Sequence, residues 1–349
     1  MKQDLSLKKL KGIKPKGVKT AIKSTAQELL ELSFKISGDP NLLQICRSNA
    51  VRGFQIRDPH AESIYKSIEE KIKDIDFNES DLKKHIPAVM IESRMQEEKT
   101  LVGIYTGALL HILTKRNKKQ NKRTFMHIDG KNQVFDYLFY QAKSFDTLVL
   151  TNLSGHCLCR GIASKQILPK RRNLPSAKTV KPENSSAGNL LICAGTTGDF
   201  ALSELGKINL VVGYDMLGQN IFKFGVNPSS DSWIIGEKLV RLKGEDAFLP
   251  TYFFSKKSDP GFVYLKDIEN YKVNYVNITK KDGVIQTNNG KNQTTYFENE
   301  QQDMFRRFNA FYQFSRILML TKQIKEEYDK DKVKTILDVY DSTTGKKIC

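Results

Sequence analysis

The sequence predicts an α+β protein, with a helical N-terminal region, a β-rich middle and a long C-terminal helix. Three observations predict it. Apolar residues recur at spacings of three and four through residue 114. Short β-branched and aromatic runs bounded by Gly, Asn and Asp take over after Arg123. A broad apolar face at helical spacing then follows Thr295.

In chain order, residues 1–17 read as a basic flexible arm, with Lys2, Lys8, Lys9, Lys11, Lys14 and Lys16 against Asp4. Residues 18–122 read as the helical region. Ile22, Ala26, Leu29, Leu30 and Phe34 share one helix face, and Gly38-Asp39-Pro40 stops that helix. A short helix is expected over 41–48. Asp58-Pro59 starts another, because Asp caps free N–H groups and Pro has none to waste in the first turn. Its face is Ile64, Ile68, Ile72 and Ile75. Asn78 to Asp81 caps a further helix that meets Pro87, and residues 88–114 are helix-compatible despite Gly103 and Gly107.

Residues 123–295 read as the β-rich region. Strands are expected at Thr124–Ile128, Val134–Tyr140 and Thr147–Leu153. A helix over Val134–Lys143 is the competing reading. An exposed basic loop, residues 164–187, follows. Further strands are expected at Leu190–Cys193, Ile208–Tyr214, Ile221–Val226, Trp233–Val240, Thr251–Phe254, Phe262–Leu265 and Tyr271–Ile278. Asp282-Gly283 reads as a hairpin turn. No internal repeat stands out. Thr295-x-x-Glu298 has the form of a capping box opening a long helix over 296–328, and residues 329–349 read as a charged, loosely held tail.

Composition narrows the function. The chain has 349 residues, 39% hydrophobic and 27% charged, which fits a folded globular protein. No apolar run is long enough to span a bilayer, and no signal core follows the N-terminal lysines, so an intracellular site is expected. Fifty-six Lys and Arg oppose 39 Asp and Glu, a net charge of +17. That excess favours polyanions, nucleic acid first and an anionic membrane surface second. Self-association is left open.

The basic residues expected to meet phosphates are Lys8, Lys9 and Lys11, then Lys115, Arg116, Lys118, Lys119, Lys122 and Arg123, then Lys170, Arg171 and Arg172. Phe125, Phe135, Tyr137 and Tyr140 lie near the middle group and offer faces for unpaired bases. Sequence-tolerant binding of RNA or DNA through phosphates is therefore the leading expectation, as in a packaging protein of a virus or mobile element.

Two catalytic alternatives arise. Asp129, followed by Gln141 and Lys143 two residues apart, places a carboxylate near an amide and an amine. His127-Ile-Asp129-Gly130 and Tyr140-Gln141-Ala-Lys143 resemble the PD-(D/E)XK nuclease superfamily, in its Mrr-like variant with Gln at the second acidic position. The resemblance is confined to residues 127–143. It implies Mg²⁺ held by Asp129, with Lys143 positioning water, and Glu97 or Glu98 as the upstream acid. Without that chemistry no cofactor is expected. The other alternative is a cysteine nucleophile in an exported effector: Cys46 or Cys193, with His127 as base and Asp146 orienting it.

Five cysteines in sparse spacing make no disulfide framework, and Cys157-Leu-Cys159 lacks the second pair a zinc site needs. The glycine-rich stretch Cys193–Asp199 reads as a turn, since it carries no phosphate-binding fingerprint.

Overall fold

The computed structural model describes residues 23–50, 59–89, 95–163, 188–199, 201–202, 205–218, 233–241, 262–273, 276–286, 310 and 312–344. The basic arm, the 164–187 loop, and the strands expected at Ile221–Val226 and Thr251–Phe254 lie outside these residues.

Among the described residues five helices come first: α1 (Thr25–Ser37), α2 (Pro40–Ala50), α3 (Pro59–Ile72), α4 (Glu79–Val89) and α5 (Gln96–Lys119). Ser24 and Gln27 close a reciprocal cap on α1. Asn78 Oδ1 accepts the N–H groups of Ser80 and Asp81 at the start of α4, which runs through Pro87. The other helices pack round α5, whose Leu101, Ile104, Tyr105, Leu109 and Leu113 are buried.

Gly103 and Gly107, which weaken a helix in isolation, have a packing role here. A Cβ on Gly103 would overlap the Tyr137 carbonyl, and one on Gly107 would lie 2.7 Å from the Tyr140 carbonyl. Two glycines one turn apart let α5 lie directly on the backbone of the following segment.

That segment is a β-solenoid. Strands β1 (Phe125–Asp129), β2 (Thr147–Thr151), β3 (Gly188–Ala194), β4 (Ile208–Gly218), β5 (Trp233–Arg241) and β6 (Phe262–Val273) pair in chain order, each parallel to the next. Strand β7 (Val276–Gln286) closes the series antiparallel to β6. Phe125, Thr147, Leu190, Leu210, Trp233 and Phe262 stack in register, one from each coil. The chain therefore does repeat internally, at roughly 20–30 residues per coil, with the 164–187 stretch inserted into the second coil. Variable coil length and divergent residues hide that period from a reading at fixed spacing.

A second ladder follows the first three strands and reaches the end of β4. Val134, Ser154, Thr197 and Leu217 bridge in parallel, one per coil. Beyond it, Tyr137 N–H donates to His156 O (2.7 Å), Cys159 N–H to Leu138 O (2.8 Å) and Leu202 N–H to Leu158 O (2.8 Å). Residues 134–143 are thus neither strand nor helix, which corrects both readings of that stretch. Tyr137, Phe139 and Gln141 have φ of 63°, 54° and 54°, and their stacked counterparts Cys157, Cys159 and Gly161 have 57°, 51° and 72°. Left-handed backbone at Tyr, Phe and Cys is disfavoured locally, so the coil-to-coil hydrogen bonds must hold it.

Alternation along each strand sorts two cores. Met126, Ile128, Leu148, Leu150, Leu191 and Cys193 point into the solenoid and meet the helical region. Val149, Leu190, Ile192, Leu210, Val212, Trp233 and Ile235 point outward, under α6 (Phe314–Glu326) and α7 (Lys330–Thr344).

The C-terminal region corrects two expectations. The helix there is short, Phe314–Glu326, set off from what precedes it by the left-handed backbone of Gln313; the expected capping box at Thr295 and Glu298 lies outside the described residues. The tail past residue 329 carries a second packed helix, with Val333, Ile336, Leu337, Val339 and Tyr340 buried. Asp282-Gly283 also lies inside β7, where Gly283 pairs with Leu265, so it does not turn the hairpin. Among the described residues no helix is long and apolar enough to cross a membrane.

Candidate nucleic-acid interface

The outward residues of β1 are Phe125, His127 and Asp129, at the edge of the sheet beside α4. His127 stacks on Tyr328, just before α7, with ring centroids 3.8 Å apart and planes 4° apart. Its Nε2 lies 3.0 Å from Thr151 Oγ1. Burial, then the nearby Lys83 ammonium, pushes its pKa down to about 4, against a smaller opposing pull from Asp129.

Cations gather round these rings from three elements. Lys83 of α4 sits 5.9 Å from the Tyr328 centroid, and Lys330 of α7 sits 4.5 Å from that of Phe125. The Arg123 guanidinium is 5.6 Å from the same Phe125 ring. Partial burial lowers the Lys83 pKa, Glu79 raises it and Lys330 lowers it further. Glu79 itself accepts from Phe125 N–H and Asn117 Nδ2, both at 3.3 Å.

Asn117 joins this face to the end of α5, since its amide also reaches Thr124 Oγ1 at 3.0 Å. There Lys115, Lys118, Lys119 and Lys122 are exposed. They complement the negative end of the α5 dipole, which is reason enough for basic residues there, and their ammonium groups still face solvent.

The two arginines of the run are structural. Arg116 donates to the carbonyls of Ile75 (2.7 Å) and Lys73 (3.1 Å) and lies over Phe77. Arg123 grips Asp146 with two bonds, at 2.7 and 3.1 Å. Lys8, Lys9, Lys11, Lys170, Arg171 and Arg172 lie outside the described residues. Of the four aromatics expected as base platforms, Phe135, Tyr137 and Tyr140 are buried and only Phe125 is half-exposed.

Asp129, Gln141 and Lys143 do not come together. Asp129 ends β1, where its Oδ1 accepts from Lys131 N–H at 3.1 Å and Asn152 Nδ2 at 3.3 Å. Gln141, 8% exposed, lies in the turn between β1 and β2. Lys143 lies against α3, its Nζ 4.0 Å from the Tyr65 ring centroid and 3.9 Å from Glu69 Oε2. Glu97 and Glu98 sit in the first turn of α5, with Glu97 3.7 Å from Arg47. Among the described residues no group of His, Cys, Asp or Glu is arranged to hold a metal ion.

The cysteine arrangement is likewise not assembled. Cys46 and Cys193 are 0% and 1% exposed. Burial, and then Cys159, drives the Cys193 thiol well above its ordinary pKa, away from the thiolate a nucleophile needs. Asp146 serves Arg123, Thr124 N–H and Asn189 rather than His127.

Sequence reasoning missed Lys83, Tyr328 and Lys330. More than half the chain lies between Phe125 and the pair Tyr328 and Lys330, and only folding joins them. A local signal did exist: Asp329 accepts the Asp331 N–H at 2.8 Å, a cap legible as the start of a helix.

Compared with protein families, with characterised proteins and with solved structures, the chain shows no match.

Proposed function

We propose that this protein binds nucleic acid through its phosphates, with little dependence on sequence. The observation that carries the reading is the meeting of Lys83 and Lys330 at the Phe125–His127–Tyr328 rings, joined through Asn117 to the end of α5 and its exposed lysines. A net charge of +17 would draw a polyanion to such a face from a distance. The amines would then replace counterions at the phosphates. Ring faces here are already covered by cations or by each other, which favours backbone contact over base stacking.

Fluorescence anisotropy with labelled single- and double-stranded RNA and DNA, at two salt concentrations, tests this. The expected result is binding that weakens steeply with salt and falls about tenfold or more in Lys83→Glu/Lys330→Glu. Equal affinity in that variant would reject this face. No binding at low salt would reject the function.

A further inference from the structure

Lys143 borders a second constellation, made of residues from three elements. Ser144 Oγ, in the turn before β2, lies 2.6 Å from His111 Nδ1 on α5. Nε2 of the same ring lies 3.6 Å from Glu69 Oε1 on α3. The order is hydroxyl, imidazole, carboxylate. Ser144 is half-buried, and the His111 and Glu69 side chains are 16% and 32% exposed, so all three residues are partly exposed.

We propose that Ser144 is a nucleophile, His111 its general base and Glu69 the carboxylate that orients the imidazole, for acyl transfer from esters carrying a negative charge. In the tautomer with its proton on Nε2, the neutral ring would turn that N–H towards Glu69 and leave the Nδ1 lone pair to accept from the Ser144 O–H. In the reaction Ser144 Oγ bonds to the acyl carbon as its proton passes to His111 Nδ1. The ester C–O bond breaks, and the leaving alcohol takes that proton. Water, deprotonated in turn by His111, cleaves the Ser144 ester and releases the acid. At 3.6 Å Glu69 acts on the ring by its charge and not by a hydrogen bond.

The preference for an anionic ester follows from the surroundings. Burial first, then Lys143 and Lys115, depress the His111 pKa to about 4, which makes the ring a weak base. A carboxylate or phosphate on the substrate beside those two amines would offset their share of that depression. Lys143 Nζ, 3.9 Å from Glu69 Oε2 and 4.0 Å from the Tyr65 ring centroid, puts a positive charge beside the three side chains, the feature an anionic ester would meet.

The first test treats the full chain with a fluorophosphonate and reads intact mass and the modified peptide. Attack forms the Oγ–P bond, breaks P–F and releases fluoride. One adduct at Ser144 is expected, absent in Ser144→Ala and slowed about a hundredfold in His111→Gln. No adduct, an adduct elsewhere, or labelling that persists in Ser144→Ala overturns the proposal. Circular dichroism checks that the variants fold. The second test compares hydrolysis of 4-nitrophenyl hemisuccinate with that of 4-nitrophenyl acetate. Faster turnover of the anionic ester, with the preference lost in Lys143→Met, is expected. Turnover of neither ester by the wild-type chain overturns it.

Discussion

His127 and Tyr328 lie face to face, centroids 3.8 Å apart, although more than half the chain separates them. One belongs to the first strand of the solenoid, the other to the link between the last two helices. Two lysines flank the pair, Lys83 of α4 across from Tyr328 and Lys330 of α7 across from Phe125. The basic face therefore exists only when both ends of the molecule are folded together.

Charge reversal separates this face from a metal-dependent cleavage site. Lys83→Glu/Lys330→Glu is expected to reduce the slope of log affinity against log salt by about 0.9 for each phosphate no longer neutralised. Asp129→Ala is expected to leave both affinity and nucleic-acid length unchanged. Anisotropy titrations and a gel of the recovered strand, with and without Mg²⁺, measure the two. Shortened product in wild type that disappears in Asp129→Ala would favour the nuclease reading.

The stacking of coils makes Gly198 intolerant. Its φ is +143°, and a Cβ there would overlap the Gly155 carbonyl of the coil before. Gly198→Ala is expected to cost about 2–4 kcal/mol, a sum of steric and backbone strain. The neighbouring bridge position Thr197 is exposed, and Thr197→Ser should be close to neutral. Chemical denaturation of the two variants would expose a wrong register if their effects came out alike.

The last helix is part of the core. Tyr340, 1% exposed, packs edge-on against Trp233 with centroids 4.9 Å apart. Trp233 is the sole tryptophan, so its emission reports this contact directly. Tyr340→Ala is expected to lose about 3–5 kcal/mol and to shift the emission to longer wavelength as water enters. A loosely held tail would show neither change.

Acid should weaken the fold over a defined window. His111 and His127 are each held down to about 4 from an ordinary 6.5, chiefly by burial, and His156 is lowered as well. Between those values the unfolded chain takes up protons that the folded one refuses. Stability is therefore whole above pH 6.5 and drains away as the pH falls towards 4. Thermal unfolding at a series of pH values should show this, and His127→Gln should flatten the decline.

Much of the helical half was legible because amphipathic spacing and caps are local. Pro59 opens α3 and Asn78 caps α4 where the sequence placed them. Strands β1 to β5 each overlap an expected run, since β-branched and aromatic residues suit a pleated sheet whatever its partners. The stretch from Val134 to Lys143 was misread because its alternation of large residues imitates a strand. What it encodes is an alternation of left-handed backbone, which no side chain there advertises. The meeting of Ser144, His111 and Glu69 was not read at all, its members being distant in the chain and on elements whose packing no local pattern specifies.

The outward core of the sheet has a further implication for synthesis. Val149, Ile192 and Val212 are covered by α6 and α7, which are made long after the strands they cover. At about 5–20 residues per second, a ribosome would leave that apolar face bare for about 7–40 s after its strands emerge. The nascent chain thus spends its most aggregation-prone interval with one side of the solenoid sealed by the N-terminal helices and the other waiting for α6 and α7.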